Sequence, residues 1–238
     1  MSLKPSSFEL KMLELKAAIM YCQWPRILKL GLGITVAALL TFTLAGTLIE
    51  QSSMFTISLL PASKEGDAEI SLSETADFAN PTTVLDAGGL QHMTNISEQW
   101  LPSGLDSTDG SHNGDNYIAY TFYLRNVGDT ACTLKEEIHI DSAVLGADAA
   151  IRVRMYRDGE PTTYAKMAAS GIPEYGTTPF ESEDSVVSCE VPDFRPGDTR
   201  KYTLVIWLEG DDPECLDNIR GGNVKMSMTF TSQEEPQQ

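Results

Sequence analysis

His139 and Asp141 stand two residues apart, the spacing at which a strand presents two metal ligands on one face. Thr133, Lys135 and Glu137 share that face, so it reads as a solvated polar surface rather than a metal site. Asp109, Ser111, Asn113 and Asp115 alternate as the first oxygen ligands of a calcium loop would, with Gly114 supplying a turn. Position twelve of such a loop would be Tyr120 where a bidentate Glu is required, so an ordinary turn is expected, with Asp109, Asn113 and Asp115 as weak calcium candidates. His92 and His112 fall in a Gly/Ser/Asp-rich stretch whose spacing singles out no further zinc ligands. HExxH, GxSxG, CxxC and phosphate-loop motifs are all missing, and catalysis is not expected. No cofactor is called for either.

The four cysteines divide around one apolar run. Leu30 to Ile49 is twenty residues without a charge, preceded by Lys4, Lys11, Lys16, Arg26 and Lys29 against Glu9 and Glu14. At about 1.5 Å per residue such a helix spans roughly the 30 Å of a bilayer core. The basic flank should stay cytoplasmic, which sends everything from Glu50 onward outside. Residues 1–50 hold 5 basic and 3 acidic side chains, and residues 51–238 hold 12 and 31, so the charge asymmetry follows this boundary. An exterior that acidic repels nucleic acid. Thr43 and Ala45 are small residues at the positions a signal peptidase reads, and a cut before Gly46 would release the rest. Leu48 and Ile49 carry the apolar run past that site, so a cleavable signal and a permanent anchor are both open.

On this reading Cys22 is cytoplasmic, whereas Cys132, Cys189 and Cys215 face an oxidising exterior. Cys132 alternates with Leu134, and Cys189 with Val187 and Val191, so both are expected in the core, as a disulfide or as two buried thiols. Cys215 is the candidate for an exposed thiol.

The elements that carry these residues have period two. Phe55, Ile57 and Leu59; Ile118, Tyr120, Phe122 and Leu124; Ile151, Val153 and Met155; and Val224, Met226, Met228 and Phe230 each alternate with polar or small residues. Tyr202 to Leu208 is apolar on both faces apart from Thr203, which predicts a central strand covered on each side. Asp158-Gly159 is a hairpin signal. With Ile70 and Leu72, Leu134 to Ile140 and Val187 to Val191, eight or nine short strands predict an all-β fold, an antiparallel β-sandwich with jelly-roll or Ig-like connections. Residues 74–116 read as a long loop, and Asp211-Asp212-Pro213 to Gly221-Gly222 as one short helix of about two turns. The expected organisation is a cytoplasmic segment 1–29, the apolar helix 30–49, a strand and linker 50–67, a β-sandwich 68–232 and a frayed tail 233–238.

The blocks NYIAYTFYLRNVGD (116–129), IRVRMYRDG (151–159) and VIWLEGDDPECLDNI (205–219), with LDAGGL (85–90) and WLP (100–102), resemble exported proteins of Gram-positive bacteria related to TasA and camelysin (CalY). The likeness covers roughly residues 28–232 and is nearest to a clostridial-type branch. It implies a jelly-roll-like sandwich, a signal removed by a SipW-type peptidase, and assembly into extracellular biofilm-matrix fibres in which one subunit's N-terminal strand completes the next subunit's sheet. The chain departs from the family in the 29 residues before the apolar run, where a short n-region is usual.

Physics supplies a reason for such assembly. Phe55, Ile57 and Leu59 mark a short alternating strand joined to the body by the polar segment 62–67, and such a strand can fold into its own sandwich or satisfy the open edge of a neighbour's. Head-to-tail exchange does not close, so it yields filaments. The reading is therefore a non-enzymatic cell-surface or extracellular structural protein whose partners are the membrane before cleavage, a signal peptidase and further copies of itself. Two rivals stand beside it: a membrane-tethered binding module using the 74–116 loop, and a camelysin-like metalloprotease.

Overall fold

The computed structural model describes residues 55–60, 69–90 and 93–234, together with Lys11. The apolar run at 30–49, the cleavage residues Thr43, Ala45 and Gly46, Cys22 and His92 lie outside the described residues. Among the described residues no helix is long and apolar enough to cross a membrane.

Among the described residues twelve strands follow in chain order: β1 (Phe55–Leu59), β2 (Ile70–Ser73), β3 (Val84–Gly88), β4 (Gly110–Ser111), β5 (Tyr117–Asn126), β6 (Cys132–Val144), β7 (Ile151–Arg157), β8 (Glu160–Ala165), β9 (Thr178–Pro179), β10 (Ser185–Phe194), β11 (Thr199–Leu208) and β12 (Asn223–Glu234). One sheet has the order β10-β6-β12-β1-β3; the other runs β2-β5-β11-β7-β8-β9, with β4 also on β5. Both sheets are mixed rather than purely antiparallel, because β1 runs parallel to β12 and β9 parallel to β8. A parallel neighbour cannot be joined by a tight turn, so β1 and β12 come together from distant parts of the sequence.

The two sheets enclose one core. Alternate residues of β12 point into it, with Val224, Met226, Met228 and Phe230 buried, and the cleanest period-two pattern in the sequence is thereby realised. Phe230 meets Phe122 and Tyr202 of the opposite sheet edge-on, at ring-centroid distances of 5.9 and 5.3 Å. β11 is covered on both faces as its composition predicts. Tyr202, Leu204 and Ile206 face the main core, whereas Val205 and Trp207 join Leu105 and Ala119 in a smaller cluster on the other side.

That second cover comes from residues 93–107, part of the stretch expected to be a loop. Residues 74–116 hold β3, β4 and two 3-10 turns, Glu98–Trp100 and Leu105–Ser107. Ile96 bridges β11 by donating its N–H to Leu208 O at 2.9 Å, and Ile96 and Leu101 pack on the Trp207 cluster. Glu209 fixes the arrangement, its Oε2 accepting from Trp207 Nε1 at 2.9 Å and from Glu98 N at 3.1 Å. Short VLDAG, with one buried residue in two, resembles a loop in sequence yet forms β3 because β1 offers it an edge.

Asp158 and Gly159 form the two-residue turn of the β7–β8 hairpin, both with positive φ (51° and 91°) as that turn type demands. The short helix expected after Asp211 is instead a 3-10 turn at Asp217–Ile219; Leu216, with φ −102° and ψ 168°, is extended and interrupts it. β12 extends to Glu234, which pairs with Cys132, so the strand reaches two residues into the segment expected to fray.

Candidate assembly site

β1 sits between β12 and β3 and is their only link within the sheet. Its register aligns Phe55 with Met226, Ile57 with Met228 and Leu59 with Phe230, each apolar residue beside another on the core face. Phe55 and Ile57 are fully buried, and Leu59 packs against the same cluster from a half-buried position. Thr56 and Ser58 lie beside Ser227 and Thr229 on the opposite face, so hydroxyl residues meet hydroxyl residues where the sheet turns outward. At the end of the strand, Leu59 N donates to Thr83 O at 2.9 Å, and just beyond it Leu60 N donates to Phe230 O at 3.0 Å.

On its other side β1 runs antiparallel to β3, with a register shift between Phe55 and Thr56 opposite Gly88. Gly88 has φ 74°, and its N–H donates to Asp86 Oδ1 at 2.7 Å, a local cap that ends β3 there. Taking β1 away would leave two unpaired strand edges, on β12 and on β3, and a slot in the core the size of a phenylalanine and an isoleucine. Full burial of such side chains is worth roughly 1.5–3 kcal/mol each. The slot therefore accepts a strand with large apolar residues at alternate positions.

The other residues singled out in the sequence are dispersed. Asp109 Oδ1 accepts from Tyr123 Oη at 2.6 Å, Asn113 bonds Ala119 N and Ala87 O through its two amide atoms, and Asp115 is exposed. These three do not converge, and a Cβ on Gly114 would fall 2.3 Å from the Tyr117 ring, so the glycine serves close backbone packing in an ordinary turn. Both ring nitrogens of His112 face backbone carbonyls, of Gly110 at 2.9 Å and Leu105 at 2.7 Å, which occupies the positions a metal would need. His139 and Asp141 lie on the outer face of β6, where Asp141 accepts from Ser227 Oγ at 2.8 Å and Lys135 pairs with Glu137.

Among the described residues, Cys132, Cys189 and Cys215 form no disulfide with one another. A disulfide between the first two is ruled out by register: Cys189 lies opposite Glu136, four residues along β6 from Cys132, or about 13 Å at strand rise, well beyond disulfide reach. Cys132 is fully buried and donates weakly to Phe194 O at 3.7 Å. Cys215 is half-buried.

One cluster escaped the sequence reading. Glu136 is fully buried between Leu134 and Ile138 on the core face of β6, and it accepts hydrogen bonds from Tyr202 Oη, Arg157 Nη2 (2.5 Å), Arg157 Nε (3.1 Å) and Cys189 Sγ (3.3 Å). Burial, reinforced by Glu136, pushes the Cys189 thiol up to about 11 and raises the Tyr202 phenol well above its usual range. The thiol is thus held protonated and a poor nucleophile, so this network ties the two sheets together rather than supplying chemistry. A charged residue at an inward period-two position was the sequence signal for it.

No protein-family model matches the sequence, and no curated protein matches it significantly. Among solved structures, a β-glucosidase from Kluyveromyces marxianus in complex with glucose aligns over 76% of this chain at 12% identity and a TM-score of 0.25. This chain corresponds to 18% of that enzyme's length, and so slight a likeness carries no argument about fold or activity.

Proposed function

We propose that the protein is an exported structural subunit whose N-terminal strand β1 fills its own β12/β3 slot in the isolated molecule and a neighbour's slot in an extracellular fibre. The observation that carries this reading is the placement of β1. It is an N-terminal strand, parallel to β12 and deeply buried at Phe55 and Ile57. Parallel pairing depends on no connecting turn, so the same register is available to a β1 from another chain.

The finer topology supports the reading. Strand orders β10-β6-β12-β1 and β5-β11-β7-β8 are those of an eight-stranded jelly roll, with β1 reversed from the antiparallel sense such a fold would give it. Export is the part of the proposal that rests on the apolar run at 30–49 and on the acidic balance of the chain beyond it. Cleavage before Gly46 would free β1 from the membrane, whereas retention of the run would keep the sandwich tethered.

The experiment compares chains beginning at Gly46 and at Pro61 by negative-stain electron microscopy, alongside the N-terminal sequence of the protein recovered from medium. Filaments from the first chain and none from the second are expected, with a recovered N-terminus near Gly46. An intact Met1 on the recovered protein, with monomers only, would overturn the proposal in favour of a tethered module.

A further inference from the structure

Three connecting segments meet at the end of the sandwich where β1 begins. Phe55 lies beside Met226, and β12 itself starts at Asn223, opposite Val144 at the end of β6. β7 starts and β11 ends at the same level, Ile151 opposite Leu208, and β8 ends close by, Ala165 opposite Arg152. Segments 144–150, 166–177 and 209–222 leave this end and are bonded to one another. Lys166 Nζ donates to Asp148 Oδ2 at 2.7 Å, Ala169 N to Glu214 Oε1 at 2.9 Å, and Glu209 N to Ala150 O at 2.8 Å. Together they form one rim.

Apolar side chains meet solvent on this rim. Of the ten large hydrophobic residues exposed among the described residues, six stand here: Val144, Leu145, Met167, Ile172, Tyr175 and Leu216. Scattered singly, such residues need no explanation; gathered at one end, they mark a surface of interaction. Leu145 adds a second sign. Its φ is 58°, followed by Gly146 at 69°, so a bulky residue occupies left-handed backbone that Gly or Asn adopts with less strain. That strained turn holds a leucine out in water.

The chain before β1 bears on what covers the rim. The apolar run ends at Ile49, and six peptide steps lead from there to Phe55, a reach of at most about 22 Å. Charge bears on the mode of contact. The three segments hold seven acidic and two basic residues, and both cations are engaged, Lys166 with Asp148 and Glu183, Arg220 with Asp217. Attraction to anionic headgroups is therefore not the driving force, which leaves apolar side chains entering the headgroup boundary. Such contact is weak for a free molecule, but a short tether supplies an effective concentration in the millimolar range.

We infer that this rim is a lipid-contact surface, on which the uncleaved protein seats its sandwich against the outer face of the membrane. The inference rests on the reading proposed above, that the run at 30–49 lies in a membrane until it is cut. Cleavage before Gly46 removes the tether and with it the contact.

The test uses the full chain in phosphatidylcholine vesicles, with Cys22, Cys189 and Cys215 changed to serine. A polarity-sensitive fluorophore is placed on Leu145→Cys, Ile172→Cys, Leu39→Cys within the run, or Val127→Cys, an exposed position after β5 at the opposite end. Quenching by a nitroxide on the lipid chains is then read. Several-fold stronger quenching at positions 145 and 172 than at 127 is expected, and it should not depend on added phosphatidylglycerol. Equal quenching at 145, 172 and 127, with position 39 strongly quenched, would overturn the inference alone. A signal at 145 and 172 that requires phosphatidylglycerol would overturn the apolar mode of contact. An unquenched position 39 would overturn the membrane reading and the inference with it.

Discussion

Glu136 joins three strands, because four donors from β7, β10 and β11 end on its carboxylate. Glu136→Gln keeps the shape but removes the charge that Arg157 faces, and a loss of about 3–5 kcal/mol in urea unfolding is expected, the usual result of breaking a buried pair. Cys189 should be silent toward thiol reagents at pH 8 in the native protein and react on unfolding, since its thiol titrates near 11. At this scale the sequence was partly legible. Core-facing Cys132 could be read from its alternation with Leu134, but the partner of Cys189 could not. Strand register decides that partner, and local spacing does not contain register.

At the level of elements, the alternating strands β1, β5, β7 and β12, the doubly covered β11 and the Asp158-Gly159 hairpin were all readable because each carries its own period or turn chemistry. β3, β4 and β9 were not, being held by what they pair with rather than by composition. The 3-10 turn at Asp217–Ile219 illustrates the same limit: Asp212, at the start of the expected helix, is drawn to Arg152 instead. For β1, truncating Ile57 to Ala empties part of the slot between β12 and β3. A loss of about 2–5 kcal/mol is expected by chemical denaturation, as for other buried aliphatic truncations. Thr56→Ala, on the outer face of the same strand, should change stability far less.

For the molecule as a whole, four phenols raised chiefly by burial, Tyr164 among them, set the alkaline limit. Tyr120 and Tyr202 are raised chiefly by burial, then by Glu74 and Glu136 respectively, and Tyr123, in the range of Asp109, is pushed up to about 12, again mostly by burial. Unfolded tyrosines release their protons near pH ~10. Above that pH the native state binds more protons than the unfolded one, so stability is full below pH 10 and falls as pH rises toward 12. Thermal melts from pH 8 to 11 should show a steep drop only above about 10, softened in Tyr120→Phe. The wider organisation follows from two sheets that share one core, with β1 seated between β12 and β3; on the proposed function, a neighbour's β1 would take that seat in a fibre. Cross-linking Thr56→Cys to Ser227→Cys, register partners on β1 and β12, reads which chain occupies the seat. The measurement uses the chain beginning at Gly46, with Cys189 and Cys215 changed to serine, and a short thiol-to-thiol reagent applied to monomers and to assembled material. The account predicts monomeric, internally bridged protein before assembly and a ladder of covalent multimers after it; assembled material that runs only as monomer on a non-reducing gel would contradict strand exchange.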